Sequence, residues 1–234
     1  MRFIKTTNLN AQTTPQTTEP VMPTRRLYRI DSWLSEADAN LLLGKKALWE
    51  ANQGHDENAI ALFTRLISYE PQSAEHYVNR GLVYARNQQW EKAMADYNRA
   101  IEIDEDLDKA YSNRANLHAR NQDWAEAISD YDDAIDLNPL NTRARLNQSI
   151  TFREMGNLEE ALICLDIALL LQPENAALYA ERGRAYHLQG DWNCAIADYQ
   201  TALKLTETNL EKPEALRTTR QVQHWMASLQ QSAE

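Results

Sequence analysis

The sequence predicts an all-α fold, a solenoid of stacked helical hairpins. Residues 77–103, YVNRGLVYARNQQWEKAMADYNRAIEI, align without a gap with YSNRANLHARNQDWAEAISDYDDAIDL at 111–137, which lies 34 residues further on. The same period continues in both directions, and a fixed period of this length indicates stacked units rather than one globular core. It gives five copies in constant register: 40–73, 74–107, 108–141, 142–175 and 176–209.

Each copy has the pattern of two helices separated by a break. With positions numbered 1 to 34 in each copy, alanine fills position 20 in all five copies, and positions 20, 24 and 27 share one helix face. Positions 4, 8 and 11 form the corresponding face of the first helix. Gly54, Gly156 and Gly190, or Asn87 and Asn121 one place earlier, suit the left-handed conformation that ends a helix. Each copy is therefore predicted to be a helical hairpin.

The two ends of the chain differ from the repeats. Seven threonines lie between residues 6 and 24 with little apolar sequence, which predicts a disordered tail over 1–34. Ser35 followed by Asp38 predicts a capping box that opens the first helix. Pro213 suits a first helical turn. An apolar stripe then predicts a capping helix within 210–234, and its members are Leu216, Val222, Trp225, Met226 and Leu229.

The repeat pattern resembles the tetratricopeptide repeat (TPR) family over about 170 of the 234 residues. The shared motif has an aromatic residue at position 4, small residues at 8 and 20, an aromatic at 24, alanine at 27 and often proline at 32. The resemblance implies a right-handed superhelical solenoid of five hairpins over 35–209, sealed by the C-terminal helix. It also implies that the first helices line a concave groove that binds protein partners.

No pattern in the sequence indicates catalysis, a metal site or a cofactor. None of the five histidines has a second ligand at metal-binding spacing, and phosphate-loop and nucleophile motifs are missing. We also expect no membrane-spanning helix and no secretory leader, because no apolar run is long enough to span a membrane and the first residues have no apolar stretch. Cys164 and Cys194 are interpreted as reduced thiols. We therefore expect a cytoplasmic protein that is not an enzyme and that meets a membrane only through a partner.

Charge is predicted to differ between the two faces. The chain carries a net charge of −10, an acidic balance that disfavours nucleic-acid binding. The TPR resemblance nevertheless places seven basic side chains in the groove against three acidic ones, Glu75, Glu154 and Glu181. This imbalance predicts an extended, acidic partner segment. The basic residues are Lys45, Arg86, Lys109, Arg120, Arg143, Arg153 and Arg184.

Asparagine recurs at position 6 of the three central copies, as Asn79, Asn113 and Asn147. A side-chain amide offers both a donor and an acceptor, so a row of amides can pair with the backbone of an extended peptide. The TPR region of the O-linked N-acetylglucosamine transferase is similar in using such a ladder. The alternative is that asparagine is simply common at this position in TPRs.

A co-chaperone adaptor is a less favoured alternative. TPR domains of the chaperone-clamp class grip a C-terminal carboxylate through fixed Lys, Asn and Arg positions. Asn116 and Asn147 match two of these positions, whereas Ser112, Ala177 and Glu181 do not match the others.

Arginine at position 7 and aspartate at position 23 occur together within a copy. Copies 2, 3 and 5 contain both residues, and copies 1 and 4 contain neither. The covariation predicts an ion pair that joins the two helices of one hairpin. The predicted pairs are Arg80–Asp96, Arg114–Asp130 and Arg182–Asp198.

The sequence thus predicts an interaction scaffold or assembly factor that binds a partner segment in the groove of copies 2 to 4. Its repeat style is loosely similar to that of cyanobacterial and plastid TPR assembly factors. Self-assembly into a structural oligomer and RNA binding by the groove remain as alternatives. The candidate groove residues are Asn79, Asn113, Asn116, Asn147, Lys109, Arg143, Arg86, Arg120, Arg153 and Arg184.

Overall fold

The computed structural model describes residues 35–207 and 212–232, with side chains as far as residue 228. The described residues form eleven α-helices and no strand, so the all-α prediction is confirmed. The predicted tail, 1–34, and the side chain of Leu229 lie outside the described part. The helices are α1 Glu36–Asn52, α2 Asp56–Tyr69, α3 Ala74–Arg86, α4 Trp90–Ile103, α5 Asp108–Asn121, α6 Trp124–Leu137, α7 Thr142–Met155, α8 Leu158–Leu171, α9 Ala176–Gln189, α10 Trp192–Glu207 and α11 Pro213–Ser232.

Consecutive helices pack as hairpins, and the hairpins stack in chain order. Helices α3 and α4, α5 and α6, α7 and α8, and α9 and α10 form pairs, and each second helix also contacts the first helix of the next pair. The first helices touch one another as well, α3 with α5, α5 with α7 and α7 with α9. The first helices therefore lie side by side along one face of the stack, and the second helices occupy the other.

Small residues let the two helices of a hairpin approach closely. Ala93 is fully buried in α4, and Tyr97, one turn further on, is 1% exposed. Gly81 in α3 lies directly against this ring, because a Cβ atom added at Gly81 would stand 2.6 Å from Tyr97 Cε1. The same contact recurs between Gly183 and Tyr199. The repeated glycine or alanine at position 8 is thus a packing requirement.

Both ends of the helical array match the patterns seen in the sequence. At the start of α1, Ser35 Oγ accepts the backbone N–H of Asp38 at 3.2 Å and donates to Asp38 Oδ2 at 2.7 Å. At the other end, α11 begins at Pro213 and buries Val222 completely against α9 and α10. Trp225 packs against the same cluster, as predicted for a capping helix.

The predicted ion pairs within hairpins are confirmed. Arg114 Nε donates to Asp130 Oδ2 at 2.8 Å, and Arg114 Nη2 donates to Asp130 Oδ1 at 2.7 Å. This bidentate geometry is the strong form of the arginine–carboxylate interaction. The hydrogen bonds raise the pKa of Arg114 although burial opposes the shift. Equivalent pairs join Arg80 with Asp96 and Arg182 with Asp198.

Each of these arginines also reaches the preceding hairpin, which the sequence did not predict. Arg114 Nη1 donates to Asn98 Oδ1 at 2.9 Å, and Arg182 Nη1 donates to Asp166 Oδ1 at 2.7 Å. Arg80 Nη1 donates to the hydroxyl of Thr64 at 3.1 Å. All three acceptors occupy position 25 of the preceding copy, so one guanidinium group joins three helices.

The residue that ends the first helix differs from the prediction in two copies. The predicted Asn87 has a φ of −87° and Asn121 is still inside α5, whereas Gln88 and Gln122 have φ values of 58° and 65°. Both glutamines occupy position 15, the place of Gly156 in copy 4. The turn between the two helices of a hairpin therefore requires the left-handed conformation at this position even where the residue has a side chain.

Replacing Gln122 with glycine is expected to stabilise the protein. A left-handed conformation costs an L-residue roughly 1–2 kcal/mol and costs glycine almost nothing. Glycine also increases the entropy of the unfolded chain, so we expect a net gain of about 0.5–1 kcal/mol in the free energy of unfolding, measured in urea. Gly156→Gln is the matched control and should lose stability, because open space surrounds Gly156 and backbone strain alone changes. A loss of stability in Gln122→Gly would contradict this interpretation.

The Arg114–Asp130 pair is expected to behave as a coupled unit. Arg114→Leu leaves a carboxylate that is 5% exposed without its cation, at a cost of about 3 kcal/mol. Adding Asp130→Leu should recover part of this loss, with a coupling energy of roughly 0.5–3 kcal/mol in a double-mutant cycle of urea unfolding. The prediction would be wrong if the effects of Arg114→Leu and Asp130→Leu were additive and Arg114 were coupled instead to Asp96 of the neighbouring hairpin.

Candidate functional site

A cavity of about 370 Å³ opens on the face formed by the first helices. Its walls come from α3, α5 and α7, and the loop after α6 closes one side. Six of the ten predicted groove residues line this cavity: Asn79, Asn113, Asn116, Asn147, Lys109 and Arg143. The structure therefore brings together the central part of the predicted site, within copies 2 to 4.

The three asparagines of the row have different surroundings. Asn147 Nδ2 donates to Asn116 Oδ1 at 2.8 Å, and the hydroxyl of Tyr131 donates to the same oxygen at 2.8 Å. Burial raises the pKa of Tyr131 to about 12, so this hydroxyl remains a donor at neutral pH. Within the described residues, the side chains of Asn79 and Asn113 make no hydrogen bond, and both are half-buried. Only these two amides have their full hydrogen-bonding capacity available to a ligand.

Lys109 and Arg143 are the cationic groups at the cavity. Both side chains are exposed, and neither forms an ion pair with any residue that the structure describes. Asp108 also lines the cavity, but its Oδ2 accepts from Asn138 Nδ2 and Asn141 Nδ2, both at 2.9 Å. The carboxylate is thereby held to the loop, and the two cations are left for a negatively charged ligand.

Two predicted basic residues at position 13 contact the preceding hairpin instead. Arg86 forms an ion pair with Asp56 at the start of α2. The guanidinium carbon of Arg120 lies 4.1 Å above the ring of Trp90 at the start of α4. Asp56 and Trp90 both occupy position 17, so position 13 meets the beginning of the preceding second helix. Neither arginine is among the residues that line the cavity.

Arg153 and Arg184 also lie outside the cavity lining. Arg153 contacts Glu154 at 2.8 Å and Glu181 at 3.3 Å. Burial raises the pKa of Glu181, and the neighbouring Arg153 opposes this shift. Arg184 lies over the ring of Trp225 in the capping helix at 5.6 Å. Since Glu181 occupies position 6, the asparagine row ends at this ion pair.

The sequence analysis did not select several residues that complete the cavity. The loop after α6 contributes Asn138, Leu140 and Asn141, and the first helix α3 contributes Leu82. Leu140 and Leu82 are 71% and 41% exposed, so the cavity has an apolar rim beside its amides. The sequence did contain a signal for Leu140. It is a large aliphatic residue directly after the proline of copy 3, where most loop residues of the other copies are polar.

The described residues contain no helix that could span a membrane. Nor do they place three or more His, Cys, Asp or Glu side chains where these could hold a metal ion.

Comparison with known families identifies the class of protein. Two family models described as tetratricopeptide repeat match residues 108–141 and 148–223, and a model described as TPR repeat matches 86–122. Together with the stacked hairpins, these matches show that this chain is a tetratricopeptide repeat protein. Membership of this class supports a role in protein–protein interaction.

Solved structures show the same fold. A crystal structure of MamA protein has 18% sequence identity and a TM-score of 0.61, and covers 76% of this chain and 97% of its own. MamA 41-end from Desulfovibrio magneticus RS-1 has 14% identity and a TM-score of 0.63, with 74% and 97% covered. At these identities the likeness concerns the fold alone. Among curated protein sequences, none matches this chain significantly.

Proposed function

We propose that this protein is an interaction scaffold that binds an extended, acidic segment of a protein partner. The binding site is the cavity between α3, α5 and α7, within copies 2 to 4. The observation that carries the proposal is the pair of unbonded amides, Asn79 and Asn113, in the same cavity as the unpaired cations Lys109 and Arg143. This combination offers backbone recognition and charge recognition to one ligand.

The two kinds of group have different tasks in this proposal. The amides of Asn79 and Asn113 pair with peptide N–H and C=O groups, which an extended segment leaves without internal partners. Lys109 and Arg143 bind carboxylate side chains of that segment, and Leu82 and Leu140 contact its apolar side chains. The Asn116–Asn147 hydrogen bond fixes the cavity wall between α5 and α7.

The proposal includes no catalytic step and places the protein in the cytoplasm. The two cysteines support a reducing compartment, because Cys164 and Cys194 are both free thiols. It further divides the chain into five hairpins over 35–209 and a capping helix over 210–234.

The experiment starts from a protein that copurifies with the intact chain and binds it in calorimetry. Asn79→Ala with Asn113→Ala removes two hydrogen-bonding amides, each contributing about 0.5–1.5 kcal/mol. We therefore expect binding to weaken roughly 5- to 150-fold, without a change in thermal stability. Lys109→Glu with Arg143→Glu should abolish binding of an acidic segment, and added salt should weaken the wild-type complex.

Lys204→Glu is the control for charge reversal away from the cavity, because it reverses one exposed cation on α10 where the groove variant reverses two. It should leave the affinity unchanged. If Lys204→Glu weakened binding while both groove variants bound normally, the partner would not occupy the cavity and the proposal would fail.

A further inference from the structure

The outer face of α8 carries a row of exposed aliphatic side chains. Ile163, Ile167 and Leu170 occupy positions 22, 26 and 29 of copy 4, a spacing of i, i+4 and i+7 that puts them on one face. Their exposed fractions are 59%, 37% and 84%. The opposite face of α8 packs in the core through Leu165 and Ala168. We call the exposed row, Ile163, Ile167 and Leu170, the α8 stripe.

The α8 stripe differs from the same three positions of every other copy. Those positions hold alanine, serine, threonine or charged residues, so packing of the repeat does not require large aliphatic side chains there. Single exposed aliphatic residues are common on proteins, but an aligned row of three is the arrangement with which helices dock onto each other. The other rows are Ala61, Arg65 and Ser68; Ala95, Arg99 and Glu102; Ser129, Asp133 and Asp136; and Ala197, Thr201 and Lys204.

Negative charge is also exposed on the outer face of the second helix one copy earlier, α6. Asp133 and Asp136 occupy the matching positions on α6, are exposed, and form no ion pair among the described residues. Desolvation raises the pKa of Asp133, and repulsion from Asp130, Asp132 and Asp136 raises it further against the opposing effect of Arg114. A cation placed beside this row would relieve the repulsion.

We propose that the α8 stripe is a second docking surface, which binds an amphipathic helix of a partner protein. The aliphatic face of that helix covers Ile163, Ile167 and Leu170, and lysine or arginine residues along one edge meet Asp133 and Asp136. The stripe lies on the second helices, away from the cavity of the proposed function. The two surfaces can therefore hold two partner segments at once.

The charges favour such a partner over a second copy of this chain. Each chain carries a net charge of −10, so two chains repel each other at long range. Like charges across an interface oppose association, whereas a basic helix is attracted by the same field.

The test uses a fluorescent synthetic helix composed of leucine and lysine, and a matched peptide in which glutamate replaces every lysine. Binding to the full chain is measured by fluorescence anisotropy. The variant Ile163→Ala, Ile167→Arg and Leu170→Glu gives α8 the row that α4 already carries, and it leaves the net charge unchanged. Asn79→Ala with Asn113→Ala serves as the groove control.

We expect the leucine–lysine peptide to bind the wild type at least 10-fold more tightly than the α8 variant, and to bind the groove control as tightly as the wild type. The leucine–glutamate peptide should bind at least 10-fold more weakly. Equal binding of the lysine peptide to wild type and α8 variant would show attraction by net charge alone and overturn the proposal. Equal binding of the two peptides would overturn the charge requirement and hence the proposed partner.

Light scattering of the same proteins tests the alternative occupant of the stripe, a second copy of this chain. A wild-type dimer that becomes monomeric in the α8 variant would assign the stripe to a second copy and contradict a partner helix. If the α8 variant loses its helical circular dichroism, Leu170→Glu alone carries the test, because that side chain is 84% exposed and contributes little to folding. It should still weaken binding of the leucine–lysine peptide several-fold.

Discussion

The guanidinium group at position 7 is the interaction on which the arrangement of helices depends. Arg114 binds Asp130 within its own hairpin, donates to Asn98 of the preceding hairpin, and lies 5.6 Å from the centre of the Tyr111 ring. A planar group with several donors in fixed directions can make these contacts together, whereas a lysine ammonium cannot. One side chain thus ties the two helices of its hairpin to each other and to the preceding hairpin. Two of the three helices that form the cavity, α3 and α5, carry such an arginine.

Copy 4 makes the same contacts between helices without an arginine–aspartate ion pair. Gln148 Nε2 donates to Asp132 Oδ1 at 2.7 Å, and Cys164 Sγ donates to Gln148 Oε1 at 3.4 Å. The same three positions are connected, but a neutral amide replaces the ion pair. Because α8 lacks the buried aspartate of copies 2, 3 and 5 and has aliphatic residues at positions 22, 26 and 29, it is apolar on most sides beyond its first turn, a composition that normally indicates burial. Copy 4 therefore differs from copies 2, 3 and 5 in two ways. An uncharged contact joins its helices, and large aliphatic side chains are exposed on the outer face of α8.

The features that were predictable from the sequence are those encoded within one copy. The period of the sequence predicted the helices. The joint presence of arginine at position 7 and aspartate at position 23 predicted the ion pairs within hairpins, such as Arg80–Asp96. Contacts between hairpins were not predictable in the same way, since they depend on how one unit rotates against the next. This explains why the Arg80–Thr64 bond and the Arg86–Asp56 pair were missed. The left-handed Gln122 lies in the turn within one hairpin and was missed for another reason, because a residue with a side chain rarely adopts that conformation.

The same distinction changes how the candidate site recognises a ligand. A count of basic residues along the first helices suggested a strongly cationic groove. The stack instead uses Arg86, Arg120 and Arg153 for contacts between helices, where Asp56, Trp90 and Glu181 meet them. Lys109 and Arg143 are then the predicted cations that remain at the cavity. With charge reduced to two groups, the proposed peptide site would draw its specificity chiefly from the directional amides and the apolar rim, because these constrain the path of a peptide while point charges do not.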